Sequence, residues 1–160
     1  MSSNLYLKPV SQTIFRRCDS EWLNLYKQYQ RYDSRVVRVD AVRECNDYNS
    51  EPVIVMERLN EGFPLDDRAE FRLLTTQQQR SCLDTMMSLY NAQLQWNSEL
   101  LKDDEAWMHG NFKLQSLWWT AGEIRLIDPE SWFVNPLQVD RTYSVYSKFF
   151  ETYIKLMSWI

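Results

Sequence analysis

The stretch MHGNFKLQSLWWTAGEIRLIDPE, Met108 to Glu130, holds the only histidine of the chain and two of its three glycines. Leu117 to Thr120 and Glu123 to Ile127 are two apolar runs around Gly122, and read as a hairpin. Pro129 ends the second run and leaves the Asp128 carboxylate outside the hydrogen-bond ladder. A hairpin therefore stands between two loops, Met108-His109-Gly110-Asn111 before it and Asp128-Pro129-Glu130 after it.

Working outward, Thr75 or Thr76 caps a long helix in which Cys82, Leu83, Met86, Met87, Leu89, Tyr90 and Leu94 form a broad apolar face. Asn60-Glu61-Gly62-Phe63-Pro64 breaks regular structure ahead of that helix. Further upstream, the β-branched set Val36, Val37, Val39 and Val42 and the apolar run Pro52 to Leu59 read as neighbouring strands, with turn chemistry in Asn46-Asp47-Tyr48-Asn49-Ser50. Asp19 or Ser20 opens a helix over residues 20–32 that carries Trp22, Leu25, Tyr26 and Tyr29 at helical spacing. Leu5 to Leu7 and Thr13 to Phe15 read as short strands. From Asp140 to Trp159, Tyr143, Tyr146, Phe149, Phe150, Tyr153, Ile154 and Met157 again keep helical spacing, so the chain ends on a helix.

Composition bounds the function. A chain of 160 residues with 44% hydrophobic and 14% aromatic content has enough apolar surface to order one domain, and disorder is excluded. A net charge of -4 argues against a phosphate-tracking surface, so no nucleic-acid partner is expected. Arg35, Arg38 and Arg43 read as solvated strand-edge charges. Cys18, Cys45 and Cys82 are odd in number and widely spaced, which fits neither a disulfide framework nor a zinc site, and points to the cytoplasm. The Met-Ser-Ser-Asn-Leu start has no apolar signal core and no run approaches a membrane span, so no membrane partner is expected.

The order of parts, helix, two strands, a Gly-Pro break, a long helix, a His-Gly loop and a hairpin ending in Asp-x-Glu, resembles the protein-kinase-like fold. The branch it is most similar to is that of the aminoglycoside and choline phosphotransferases, whose catalytic loop reads His-Gly-Asp with Asn five residues later. The resemblance covers residues 5–133 and implies a minimal α+β kinase-like domain, residues 1–160, with a reduced small lobe over 1–60 and a shortened helical lobe over 61–160. Val53 to Leu59 then looks like the strand entering the hinge, and Glu61 to Leu65 like the segment after it. Gly62, Gly110 and Gly122 fall where flexible backbone is wanted.

Position by position the site is degraded. Asn111 stands where the catalytic aspartate belongs, and a neutral amide orients a hydroxyl without taking its proton. Ser116 stands where the resemblance implies a metal-binding Asn, and a hydroxyl is a poorer donor to a hard cation than an amide carbonyl. Asp128 matches the magnesium-binding Asp. Lys8, with Glu21 on the first helix, corresponds to the phosphate-clamping pair. Each has a plain structural alternative: His109 as a packed core imidazole, Asp128 as a turn cap, Lys8 as a solvated strand-end lysine. No glycine precedes Gly62, so a glycine-rich phosphate loop is not expected. With few residues before Leu5 and 32 after Asp128, the resemblance implies that both lobes are trimmed.

The expected function is that of a pseudokinase that binds another protein, with no cofactor and with tryptophans such as Trp118, Trp119, Trp132 or Trp159 serving as core or as interface anchors. The second expectation is a weak phosphotransferase using ATP and magnesium. The third is a structural or inhibitory protein that binds no nucleotide. A Ser-His-Asp hydrolase lacks its Gly-x-Ser-x-Gly elbow, and a thiol enzyme built on Cys82 or Cys45 with His109 lacks any spacing signature.

Overall fold

The computed structural model describes residues 4–44, 51–100, 105–136 and 139–160. The turn expected at 46–50 and Cys45 lie outside the described residues, as does the side chain of Tyr143. The chain divides into two compact units, Met1–Asn60 and Glu61–Ile160.

In the first unit β1 (Leu5–Pro9), β2 (Val39–Arg43) and β3 (Val53–Glu57) form an antiparallel sheet ordered β1-β3-β2. Val53, Ile54, Val55 and Met56 are all buried. Both faces of β3 are therefore covered, which is why its sequence is a continuous apolar run and not an alternation. β1 lies at an edge, where Pro9, with no N–H to donate, is tolerated opposite Val53. Thr13 to Phe15, expected as a strand, is instead part of helix α1 (Gln12–Arg17). Capping is the reason: Ser11 Oγ accepts the Ile14 N–H at 3.2 Å and satisfies one of the open donors of the first turn.

Helix α2 (Ser20–Tyr32) begins as expected, with Asp19 Oδ1 accepting the Trp22 N–H at 2.9 Å. Trp22, Tyr26 and Tyr29 are its buried face, and the Tyr26 hydroxyl donates to the Val37 carbonyl at 2.7 Å. Behind its end, buried Asp33 holds the Arg35 guanidinium by two bonds, Nε–Oδ1 at 2.8 Å and Nη2–Oδ2 at 2.9 Å. Burial, with the Asp33 charge adding to it, pushes the Tyr29 phenol far above its ordinary range.

Among its described residues the second unit holds two small antiparallel sheets. β4 (Phe63–Pro64), β6 (Leu117–Thr120) and β7 (Glu123–Leu126) are ordered β4-β6-β7, and β5 (Glu105–His109) pairs with β8 (Trp132–Pro136). The 6–7 hairpin matches the expectation. Around the sheets run α3 (Arg68–Leu73), α4 (Thr76–Leu100) and α5 (Val139–Met157). Thr75 caps α4 reciprocally: its Oγ1 accepts the Gln78 N–H at 3.1 Å while Gln78 Oε1 accepts the Thr75 N–H at 2.9 Å. The buried seam of α4 is Cys82, Met86, Leu89, Gln93 and Trp96. It is narrower than the expected face, since Leu83, Met87 and Tyr90 are half-buried and Leu94 is exposed. α5 packs on α4 through Tyr90, whose ring stacks on Phe149 with centroids 4.5 Å apart.

The expected break at 60–64 contains a strand, because Gly62 lets the chain turn hard against β6. Its φ is +102°, and a Cβ there would overlap the Trp119 carbonyl oxygen. Gly122 also has positive φ, in the hairpin turn, but a Cβ there meets open space. Gly122→Ala should therefore cost only backbone strain, about 1–2 kcal/mol, whereas Gly62→Ala should cost upwards of about 4 kcal/mol. Urea denaturation of the two variants checks the order, and equal losses would refute the close packing of Gly62 on β6.

Candidate functional site

His109 does not stand in a loop, as expected, but closes β5, opposite Trp132 of β8. Alternating burial did not announce this strand, because Ala106, Trp107, Met108 and His109 are all buried. Two bonds from α4 hold its other edge: Asn97 Oδ1 accepts the Trp107 N–H at 2.8 Å and Asn97 Nδ2 donates to the Trp107 carbonyl at 3.0 Å. One side-chain amide thus replaces a neighbouring strand. Gly110 follows. Its role is close packing and not a left-handed turn, since the Phe133 ring lies where a Cβ would stand.

The His109 ring, 2% exposed, sits edge-on to Trp132 and Phe112 at centroid distances of 5.5 and 6.0 Å. Its Nδ1 accepts the Asn111 backbone N–H at 3.3 Å. An accepting Nδ1 puts the ring proton of the neutral imidazole on the buried Nε2.

Ser116 ties the two loops together. It is wholly buried, and its Oγ donates to Asp128 Oδ2 at 2.8 Å and lies 3.4 Å from the Asn111 carbonyl. Its own carbonyl accepts the Ile127 N–H at 2.9 Å. Asp128, half-buried, adopts the left-handed conformation with φ 62° and ψ 61°, which Asp tolerates better than most residues. Pro129 and Glu130 continue into a short 3-10 turn. From α5, Thr152 Oγ1 lies 2.9 Å from the Phe112 carbonyl and 2.8 Å from the Lys148 carbonyl of its own helix, so its one proton is shared between the loop and the helix.

The structure thus brings His109, Asn111, Ser116 and Asp128 into one hydrogen-bonded set. Lys8 and Glu21 belong to the first unit: Lys8 is half-buried on β1 opposite Ile54, and Glu21 is exposed in the first turn of α2. Among the described residues no group of three or more His, Cys, Asp or Glu is arranged to hold a metal ion. Burial pushes the Cys82 thiol up to about 12, which makes it an inert core residue. No known protein-family model matches the chain, and no curated protein is significantly similar to it. No helix among the described residues is long and apolar enough to cross a membrane.

Asn97 and Thr152 were not among the sequence candidates. A poor helix former near the end of a 25-residue helix was the one hint of the first; Thr152 sits within an apolar spacing pattern that gives no sign of it. Removing the Asp128 side chain strands a buried hydroxyl, so Asp128→Ala should cost about 1–3 kcal/mol, whereas Asp128→Asn keeps an acceptor and should cost less than about 1 kcal/mol. Chemical denaturation decides this, and an Asp128→Ala variant as stable as the parent would overturn the role given to the Ser116 bond.

Proposed function

We propose that this protein is a kinase-like module without phosphotransfer activity, and that it acts by binding another protein. The observation that carries the binding role is an open apolar stripe on α5. Phe150, Ile154 and Met157, spaced by four and three residues, are 43%, 59% and 49% exposed. Phe149, Thr152 and Leu156 of the same helix are buried. Phe150 also meets Tyr90 of α4 edge-on at 5.4 Å, so Ile154 and Met157 are the part of the stripe that lies beyond the internal face, and exposed apolar side chains so grouped mark interaction surfaces. Trp119 and Trp132 are core, while Trp118 and Trp159 are half-buried; the anchors in this reading are the α5 side chains.

The chemistry of the loop cluster supports the inactive half of the reading. Position 111 offers a neutral amide, His109 spends Nδ1 on the loop backbone, and Asp128 accepts a hydrogen bond from Ser116. Phosphoryl transfer depends on positioned negative charge and metal beside the acceptor hydroxyl, and this set offers one carboxylate already engaged by a donor.

Two measurements test the proposal. Incubated with ATP and magnesium, the purified protein should show no phosphotransfer, and Asn111→Asp with Ser116→Asn should stay inactive; robust transfer abolished by Asp128→Ala would establish the enzyme instead. In cells, proximity labelling should recover a protein set that Ile154→Asp with Met157→Asp loses while its melting temperature is retained. An unchanged set would remove α5 as the binding surface.

A further inference from the structure

In the first unit, α2 and the start of β2 enclose an open cleft of about 410 Å³, lined by Lys27, Gln30, Arg31, Arg38, Val39 and Asp40. Its size lies within the ~300–1,000 Å³ of small-molecule sites. Three of the six lining residues are cations and one is an anion. Lys27 and Arg31 are one helical turn apart on α2, so both reach the same side. Among the described residues neither makes an ion pair. Arg38 is different: its Nε donates to Asp40 Oδ1 at 3.0 Å. That bond fixes the guanidinium plane and leaves its terminal N–H groups for an oxyanion, in the forked geometry that suits carboxylate and phosphate oxygens. Asp40 is held there by a β-bulge between Val39 and Ala41, where β2 slips against β3. A second carboxylate, Glu57 of β3, accepts the Arg38 backbone N–H at 2.9 Å and is not part of the lining. The lining therefore carries a net charge of two positive units, three cations less Asp40.

We infer that this cleft binds a phosphate monoester as its dianion, either on a soluble molecule or on a lipid headgroup. A dianion neutralises the lining, and its three terminal oxygens can meet two side chains of α2 and the fork of Arg38 at once. A monoanionic carboxylate leaves a positive charge uncompensated. The methylene stems of Lys27 and Arg31 give the organic part of such a molecule an apolar floor. This inference is independent of the kinase-like reading and of α5.

The test uses the full chain, with binding followed by amide chemical shifts. The probes are glycerol 3-phosphate, and phosphatidylcholine vesicles with and without phosphatidic acid. Saturable shifts with glycerol 3-phosphate, confined to the residues around the cleft, identify a soluble source. Binding only to vesicles that contain phosphatidic acid identifies a headgroup. In either case Lys27→Gln with Arg31→Gln, both at the surface of an intact helix, should weaken binding about tenfold or more while the thermal melt is unchanged, a loss of at least ~1.4 kcal/mol. Binding should also weaken below about pH 6, where a phosphate monoester takes up its second proton. Absence of saturable binding to both probes, or a double variant that binds as the parent does, would overturn the inference.

Discussion

A hydroxyl can stay inside a protein only if its proton finds an acceptor, and Ser116, with no exposed surface, finds one in Asp128 at 2.8 Å. The Asn111 carbonyl at 3.4 Å is too distant to compete on equal terms. With the Ile127 N–H donated to the Ser116 carbonyl, two bonds stitch the turn at 114–116 to the end of β7. They hold Asp128 in a left-handed conformation that costs energy by itself, and they set where the chain enters Pro129 and then β8. β8 in turn pairs with β5 and carries Trp132, which stacks on Trp107 at 5.4 Å and stands edge-on to His109. The candidate site and the core of the second unit therefore share one set of contacts.

What the sequence disclosed follows the periodicity of its parts. α2 and α5 keep helical spacing over many residues, the 6–7 hairpin is marked by the turn at Gly122, and β2 and β3 by their β-branched residues, and each was legible. Thr13 to Phe15 was misread because β-branched and aromatic residues suggest a strand, while a serine cap two residues earlier decides for a helix. β5 was hidden by full burial, which erases the alternation that marks a half-buried strand. In the candidate site the residues could be named but not their bonds: the resemblance singled out Asn111, Ser116 and Asp128, yet nothing in it says that serine donates to aspartate. The basic cleft was invisible because its cations come from two elements, and Lys27 with Arg31 looks like any solvated helix face until Arg38 is folded opposite it.

The direction of the Ser116 bond carries the chemical argument furthest. An amide at that position would present an oxygen, so that amide and carboxylate together could face a cation with two acceptors. Serine presents a proton and turns the same pair inward, one side chain satisfying the other. Asn111 acts the same way through its backbone, giving its N–H to His109 Nδ1 and so fixing the imidazole proton on the buried Nε2. Every bond described in the set runs from a protein donor to a protein acceptor. Each of these bonds lowers the cost of burying the two groups it joins, so the two loops are held as one unit.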